Sequence, residues 1–270
     1  MADSFEVNPA GLARLEPSRS LADASGALPA GAYTTFRTYG GDRVWRLDHH
    51  LRRLEESAAL QGHHGTVDPA RLRRALAETL RATGHPESRF RVTFAPPRLF
   101  VSVEPFAALP EAAYEEGVRC VTVAAHRDNP HSKDTRFVAT AHQVYQALPP
   151  DAHEGLLAGE DGVLLEGLSS NFFAVRDGAL CTEEERVLPG LTRALVLELA
   201  APRLPRGPRG LRREELPHAH EAFLTSASRG VLPVVRVDEV TVGNGRPGAL
   251  TRELRAGFDA RVLQEAETVA

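Results

Sequence analysis

The hydrophobic pattern of this chain alternates between strand-like and helix-like periods, and this alternation limits its fold more than any other feature. Residues 31–39 (GAYTTFRTY) and 43–47 (RVWRL) predict two strands that pair around a turn at 40–42. Residues 48–61 carry apolar side chains on one side at helical spacing, which predicts a helix. Strands and helices mixed in this way are typical of α+β or α/β proteins. No clean strand–helix–strand repeat specifies a parallel sheet.

Capping residues mark the ends of two predicted helices in the first half. Asp48 and Asp68 stand at the expected N-caps, and Pro69 follows Asp68 at the first helical position. Gly62 and Gly84 follow the two apolar patterns, and glycine is the usual residue just past a helix end. The chain therefore predicts one helix from Asp48 to about residue 61 and a second that ends at Gly84.

Turn residues divide the remaining apolar runs into hairpins. Residues 89–94 and 99–106 predict a hairpin around two prolines, and Asp177-Gly178 predicts another between strands. Residues 234–243 predict a last hairpin, before an amphipathic tail helix. The turn-rich segment 126–133 (HRDNPHSK) separates the two halves of the pattern, so we expect it to join two domains.

Length and composition exclude several classes of protein. With 270 residues and 42% hydrophobic side chains, the chain can bury a sizeable core. No apolar run approaches the roughly 20 residues of a membrane span, and the start lacks the pattern of a secretory signal. Two cysteines make no disulfide framework, which favours a reducing cytoplasm. A net charge of −4 argues against nucleic acid as a partner.

Lysine is nearly absent from the chain. Lys plus Arg total 32, yet Lys133 is the single lysine. A bias towards arginine explains the missing lysines, because the two side chains are largely exchangeable as surface charges. It does not explain the one that remains. Only lysine can lose its proton and act as an amine nucleophile. Lys133 is therefore the first place to look for amine chemistry, beside the alternative of an ordinary surface residue.

Other common catalytic patterns are weak or missing. The 11 histidines include two adjacent pairs, which point to different sides of a helix, and none has zinc-ligand spacing. Solvated or capping histidines account for them, so no metal site is predicted. The chain has no G-x-S-x-G elbow, no nucleophilic-cysteine context and no glycine-rich nucleotide loop.

Three separate elements of the second half supply a coherent set of groups. Lys133 provides an amine, and Glu166 ends the apolar run GVLLEG, where a buried carboxylate needs a cation or a hydrogen bond. Residues 189–192 (PGLT) open a helix whose backbone N–H groups can bind a phosphate. Each has an ordinary structural explanation by itself. Together they are the groups that pyridoxal 5'-phosphate requires.

The order of these elements resembles the class IV (fold type IV) pyridoxal-phosphate aminotransferase family, which contains branched-chain aminotransferases, D-amino-acid aminotransferases and 4-amino-4-deoxychorismate lyases. The segments that carry the resemblance are RLDHHLRRLEESA, NPHSK, LLEGLSSNFFAVRDGALCT, LPGLTRALVLELA and FLTSASRGVLPV, within residues 31–238. The resemblance implies an α+β protein of two domains. We expect a smaller N-terminal α/β domain (1–120), an interdomain segment (121–132) and a larger C-terminal cofactor-binding domain (133–270) built as a mixed α/β pseudo-barrel.

The resemblance also assigns roles to individual residues. Lys133 corresponds to the lysine that forms a Schiff base with the cofactor and moves the substrate proton. Glu166 corresponds to the carboxylate that pairs with the pyridine nitrogen, and Arg53 to a phosphate-binding arginine. Leu191 and Thr192 correspond to the helix-start pair that binds the phosphate. The other implied cofactor contacts are Ser169, Ser170, Asn171 and Ser228.

The chain departs from the family pattern at three places. Tyr33-Thr34 stands where the family often has Phe-Glu, and Arg136 stands where many members have Asn. Ala227 occupies the position of a phosphate-binding Thr in many relatives, with the hydroxyls of Ser226 and Ser228 beside it as substitutes. A substrate pocket is expected at four residues for which a surface strand is an equal alternative: Tyr33, Phe36, Arg37 and Arg91.

The activity implied by the resemblance is transamination between an amino donor and a 2-keto acid, in a cytoplasmic homodimer without nucleic-acid or membrane partners. An alternative is 4-amino-4-deoxychorismate lyase, which uses the same cofactor site to form 4-aminobenzoate and pyruvate. Thr34-Thr35 and the stretch 133–136 favour the lyase, whereas the missing glycine-rich loop near 92–103 argues against it. A catalytically silent member of the family is the third alternative.

Overall fold

The computed structural model describes residues 1–269, which form two compact units. The first unit comprises residues 1–107 and 131–140 together with the described part of the C-terminus from 262. The second unit comprises residues 108–130 and 141–261. Within residues 1–269, no helix is both long enough and apolar enough to cross a membrane.

Helices and strands are interspersed along residues 1–269, with one short 3-10 helix at Arg213–His218. In chain order the elements are β1 (Asp3–Asn8), β2 (Gly11–Arg14), α1 (Leu21–Ala27), β3 (Ala32–Tyr39), β4 (Arg43–Val44), α2 (Leu47–Leu60), α3 (Pro69–Thr83), β5 (Ser88–Ala95), β6 (Arg98–Pro105), α4 (Glu111–Glu115), β7 (Val118–Val123), α5 (Thr135–Ala147), β8 (Ala152–Ala158), β9 (Leu164–Gly167), β10 (Asn171–Arg176), β11 (Ala179–Cys181), α6 (Leu191–Ala200), β12 (Glu221–Ser226), β13 (Gly230–Val237), β14 (Val240–Thr241), α7 (Ala249–Glu265) and β15 (Glu267–Thr268).

A seven-stranded antiparallel sheet organises the first unit, in the order β15-β4-β3-β5-β6-β1-β2. Successive side chains of a strand point to opposite faces. Phe36 and Phe90 therefore share one face, where they pack with the apolar sides of α2 and α3 in a single hydrophobic core. Tyr33 and Arg91 belong to the opposite face of β3 and β5.

A second sheet of eight strands organises the other unit: seven follow the order β11-β10-β12-β13-β7-β8-β9, and β14 pairs with β13 beside this path. Strand β9 also pairs with β10 through Glu166 and Asn171, so the sheet closes on itself. This closed arrangement agrees with the predicted pseudo-barrel. Strand β7 runs parallel to both β8 and β13, a pairing for which the sequence pattern gave no signal.

Both predicted helices are present. The predicted N-cap is correct for α3 and wrong for α2. The Asp68 carboxylate accepts the backbone N–H groups of Ala70 and Arg71, and Gly84 ends α3 with φ +63°. Helix α2 instead begins one residue before Asp48, after Arg46 in a left-handed conformation with φ +51°. Asp48 therefore lies inside the first turn, where a negative charge favours the helix dipole but does not cap the end.

The predicted hairpins are also present. Strands β3 and β4, β5 and β6, β10 and β11, and β13 and β14 all pair antiparallel. Asp177 and Gly178 both have positive φ, as the Asp-Gly signal requires. The sequence pattern did not identify the hairpin of β1 and β2 or the short strand β15, which pairs with β4 far away in sequence.

The segment around Lys133 groups with the first unit, although the sequence placed residues 133–270 in the C-terminal domain. Ala32 and Asp134 form an isolated bridge, and the Tyr33 N–H donates to the Lys133 carbonyl at 2.8 Å. These hydrogen bonds attach the segment to the start of β3. Strand β15 likewise pairs with β4 of the same sheet. Backbone groups pair with neighbours in space, so these two attachments do not follow the order of the sequence.

Candidate active site

Lys133 is fixed by backbone contacts on two sides. Its carbonyl accepts the N–H of Tyr33, and its own N–H donates to the Ser57 hydroxyl of α2 at 3.1 Å. Ser132 donates its hydroxyl to the Ser57 carbonyl at 3.1 Å. Two elements of the first unit, β3 and α2, therefore position the only lysine of the chain.

The side chain of Lys133 lies against Tyr33. Its Nζ atom is 3.3 Å from the Tyr33 hydroxyl and 4.4 Å from the centre of the ring. The guanidinium of Arg91 lies 4.9 Å from the centre of the same ring. Tyr33 thus contacts an amine that can react and a cation that can bind a carboxylate. The sequence placed Tyr33 and Arg91 in the substrate pocket, and the structure places Arg91 and Lys133 against the same Tyr33 ring.

Arg53 and His50 extend from α2 to Thr34 of β3. Arg53 donates to the Thr34 hydroxyl at 3.0 Å, and His50 Nδ1 is 2.7 Å from the same oxygen. Burial lowers the pKa of Arg53 to about 10, although the nearby Tyr33 acts in the opposite direction. Burial, and then the positive charges of Arg53 and Lys133, hold the pKa of His50 well below 6.5. His50 is therefore neutral at pH 7.

The other substrate candidates of the first unit have structural contacts. Phe36 is in the hydrophobic core, stacked on Phe90 with ring centres 5.7 Å apart, so it lies on the face of β3 opposite Tyr33. The guanidinium of Arg37 lies between the rings of Tyr39 and Phe106, at 4.1 and 4.4 Å. The structure therefore does not bring Phe36 together with Tyr33, because their side chains point to opposite faces of β3.

Glu166 ends β9 in the second unit with 2% of its surface exposed. Its Oε1 accepts from Arg127 Nε at 2.8 Å, and its Oε2 accepts from the Leu188 N–H at 3.1 Å and from Asn171 Nδ2 at 3.3 Å. The sequence predicted that this carboxylate needs a cation, but it did not identify Arg127. Arg127 lies 39 residues away, in the turn-rich segment that only the tertiary structure brings to β9.

The first turn of α6 has the features of an anion site. Thr192 is 3% exposed, and its hydroxyl has no hydrogen-bond partner within residues 1–269. Gly190 precedes the helix, and a Cβ atom there would lie 2.3 Å from the Asn171 Oδ1 atom. Leu191 begins the helix, and because the first backbone N–H groups of a helix have no intrahelical acceptor, they can bind an anion.

Ser169 and Ser170 belong to a buried network that the sequence did not reveal. Both hydroxyls donate to Glu154 Oε2, at 3.1 and 3.0 Å, and Glu154 is fully buried. Arg229 Nη2 donates to the same oxygen at 2.8 Å, and the Tyr145 hydroxyl donates to Oε1. Burial, with the charge of Glu154, raises the pKa of Tyr145 far above its ordinary value.

Ser228, also predicted as a cofactor contact, is half-buried in the turn between β12 and β13.

These residues fit the requirements of pyridoxal 5'-phosphate. Lys133 offers an amine, Glu166 is a buried carboxylate held by hydrogen bonds, and Thr192 has a buried hydroxyl without a protein partner. The buried Nε of Arg53 also lacks a hydrogen-bond partner within the described chain. Unsatisfied buried donors are uncommon in proteins, and a phosphate is a ligand that satisfies donors of both kinds. These groups are of the kinds that a pyridoxal-phosphate enzyme requires.

Comparison with known proteins identifies the family. The family model for amino-transferase class IV matches residues 31–237, and the chain belongs to this family. It is 29% identical over 258 residues to the D-alanine aminotransferase of Bacillus licheniformis, covering 88% of this chain and 90% of that one. It is 25% identical over 256 residues to the branched-chain-amino-acid aminotransferase of Escherichia coli K12, covering 86% and 83%.

Solved structures show the same fold. A putative branched-chain amino acid aminotransferase from Thermotoga maritima superposes with a TM-score of 0.80 at 26% identity, covering 97% of this chain and 96% of that one. A branched-chain amino acid aminotransferase from T.th., solved with pyridoxamine 5'-phosphate, gives a TM-score of 0.81 at 22% identity, covering 99% and 98%. The predicted family, the fold type IV architecture and the assignment to the aminotransferases are confirmed.

Proposed function

We propose that this protein transfers an amino group between an amino acid and a 2-keto acid, with pyridoxal 5'-phosphate bound to Lys133. The observation that carries the proposal is the position of the only lysine, held between β3 and α2 with its Nζ atom beside the Tyr33 hydroxyl. Relatives named as D-alanine and branched-chain aminotransferases support this reaction class. When bound, the cofactor supplies an aldehyde that takes up the amino group and a ring that withdraws electrons from the substrate.

The residues of the chain would bind and orient the cofactor, and one of them would move a proton. Lys133 Nζ would move a proton from the substrate carbon to the cofactor carbon in one half-reaction and in the opposite direction in the other. Glu166, held by Arg127 and the Leu188 N–H, pairs with the ring nitrogen. Arg53 and the first turn of α6 bind the phosphate, where Thr192 contributes its hydroxyl. Ser169, Ser170, Asn171, Leu191 and Ser228 complete the proposed cofactor contacts.

Arg91 and Tyr33 form the proposed substrate carboxylate site. Arg91 Nη1 donates to the Leu21 carbonyl at 2.9 Å and to the Ser25 hydroxyl at 2.7 Å, so its guanidinium is fixed over the Tyr33 ring. A guanidinium fixed in this way binds a carboxylate with little loss of side-chain entropy. Arg37 and Phe36 have packing contacts that support a structural role in place of the predicted substrate contact.

The lyase alternative is not favoured, because the relatives in the comparisons carry aminotransferase names.

We further propose that the protein acts as a cytoplasmic homodimer. Its two cysteines, Cys120 and Cys181, are free thiols, which suits a reducing compartment. Light scattering coupled to size-exclusion chromatography measures the oligomeric state.

The proposed attachment of the cofactor is tested by reduction with borohydride after loading with pyridoxal 5'-phosphate. We expect a single labelled peptide that contains Lys133, because no other lysine competes. Lys133→Ala should lose this label. Arg136→Lys is the matched control, since it adds a second, exposed amine three residues away, and the label should remain at Lys133. An unchanged label in Lys133→Ala would overturn the assignment.

Amino transfer is tested on the loaded enzyme with pairs of amino acids and 2-keto acids. We expect a keto acid and a new amino acid as products, together with a change in cofactor absorbance after the first half-reaction. Formation of 4-aminobenzoate and pyruvate from 4-amino-4-deoxychorismate would establish the lyase instead. A loaded enzyme that releases neither set of products would indicate a silent member of the family.

A further inference from the structure

The turn after β12 lacks a free hydroxyl at the position where the family often has a threonine. Ala227 occupies that position, and its neighbours Ser226 and Ser228 were the predicted substitutes. The Ser226 hydroxyl accepts from Arg229, from the backbone N–H at 3.3 Å and from Nε at 3.2 Å. Ser226 is therefore engaged in holding its own turn. The sheet offers another hydroxyl two residues before Ala227.

Thr225 carries a hydroxyl that the protein itself does not satisfy. The residue is 2% exposed, and its Oγ1 atom has no hydrogen-bond partner within residues 1–269. A buried hydroxyl without a partner destabilises the fold, because it loses its bonds to water on folding. Such a group therefore points to a partner that belongs to a ligand. The position of Thr225 in the sheet indicates which ligand this is.

The strand register places Thr225 beside Asn171. These two residues are direct partners across β12 and β10, and Phe223 and Phe173 are the next pair on the same face, with rings stacked at 4.9 Å. The Asn171 side chain reaches the N-cap of α6, since its Oδ1 atom would lie 2.3 Å from a Cβ at Gly190. Thr225 is therefore on the face of the sheet that the start of α6 covers.

The start of α6 carries a second hydroxyl of the same kind. Thr192 Oγ1 is buried and has no partner in the described chain, and α6 is a regular helix of 10 residues. Two buried hydroxyls and the N–H groups of a helix terminus suit a tetrahedral anion with several acceptor oxygens, such as a phosphate monoester.

We propose that Thr225 donates its hydroxyl to the phosphate of the cofactor and takes the place that Ala227 leaves empty. The proposal rests on the proposed function, because it names a residue of the same cofactor site. Thr225→Val tests it, since valine keeps the shape of the side chain and removes only the hydroxyl. Thr225→Ser keeps the hydroxyl. Thr182→Val is the matched control, because it removes a buried hydroxyl of the same unit that already donates to the Phe172 carbonyl at 2.9 Å.

The measurement is the dissociation constant of each purified variant for pyridoxal 5'-phosphate and for pyridoxal, which lacks the phosphate. We expect Thr225→Val to weaken binding of the phosphate form by roughly 10- to 100-fold, the range for one hydrogen bond to a charged group. Binding of pyridoxal should change less than about twofold, since no hydrogen bond to it is lost. Thr225→Ser and Thr182→Val should bind both ligands as the wild type does.

Unfolding without cofactor supplies a second readout. Thr225→Val should be at least as stable as the wild type, because it removes a hydroxyl that has no partner in the protein, whereas a structural hydroxyl would give a loss of stability. Equal affinity of Thr225→Val and wild type for pyridoxal 5'-phosphate would overturn the inference and leave the proposed function intact. Equal weakening of both ligands would also overturn it. A wild-type chain that does not bind pyridoxal 5'-phosphate would overturn both.

Discussion

For Lys133, a residue count and a position together support the proposed chemical role. Arginine supplies nearly every positive charge of the chain, and the one lysine is fixed by Tyr33 and Ser57. A long, flexible side chain on an exposed surface has no need of such contacts. The backbone bonds place the amine before any substrate binds, which lowers the entropy that ordering it would require.

The environment of His50 predicts a pH dependence of stability. The pKa of His50 in the folded protein is well below the value of 6.5 in the unfolded chain, mainly because of burial. The unfolded state therefore binds more protons as pH falls below about 6.5, and stability decreases there. We expect His50→Gln to reduce this slope, by up to about 1.4 kcal/mol for each pH unit. Urea unfolding between pH 5 and 7.5 measures the difference.

The control for this measurement is His64→Gln, because His64 is exposed in the loop after α2. It should leave the slope of the wild type unchanged. If His50→Gln and His64→Gln show the same slope as the wild type, protonation of His50 does not oppose folding, and the hydrogen bond with Thr34 tolerates the charged ring.

At the scale of elements, two turns are joined by one buried ion pair. Glu154 of β8 binds the Ser169-Ser170 turn before β10, and Arg229 belongs to the turn between β12 and β13. Burial lowers the pKa of Arg229, but the negative charge of Glu154 and its hydrogen bond with Arg229 contribute to a net increase. Arg229 thus stays charged, and the ion pair fixes the turn that leads into Asn171, a partner of Glu166.

This ion pair predicts strong coupling between two mutations. Glu154→Gln should lower the free energy of unfolding by about 3–5 kcal/mol, because it leaves the Arg229 charge buried without a full counter-charge. Arg229→Met in the same chain should recover part of that loss, since no isolated charge remains. Glu239→Gln is the control, as its carboxylate is 76% exposed and its loss should change stability by less than about 1 kcal/mol. Additive effects of the two buried mutations in urea unfolding would contradict the coupling.

The whole molecule combines two hydrophobic cores, one in each unit. The first unit holds Lys133, Arg53 and Arg91, and the second holds Glu166 and Thr192. The class IV family model matches residues 31–237, which take in parts of both units. Binding of the cofactor should therefore be visible in the stability of the whole chain.

Because the cofactor binds the folded state, its binding should increase the free energy of unfolding. Pyridoxal 5'-phosphate at 100 times its dissociation constant should raise the free energy of unfolding by about 2.7 kcal/mol, because it binds only the folded state. Lys133→Arg keeps the positive charge but cannot form the covalent bond, so the same ligand concentration should raise its melting temperature by less. Differential scanning fluorimetry with and without the cofactor measures both shifts. Equal shifts would mean that the lysine does not hold the cofactor.

Local chemistry determined much of this protein from the sequence by itself. Asp68 and Gly84 marked the ends of α3, and Asp177-Gly178 marked a hairpin, because caps and tight turns depend on residues next to each other in the chain. The family motifs identified the fold and the class of enzyme. His50, Arg53 and Ser57 recur at helical spacing along α2, and all three side chains lie on the side that contacts Thr34 or Lys133.

Only the tertiary structure decided which residues satisfy the buried charges and which buried hydroxyls stay without a protein partner. Arg127 binds Glu166 and Arg229 binds Glu154 across 39 and 75 residues of sequence, and no local pattern encodes such pairs. The same holds for the parallel pairing of β7 and for the attachment of the lysine segment to β3. Burial and partner choice depend on how distant elements pack, so the sequence specifies the groups and the fold determines what each one contacts.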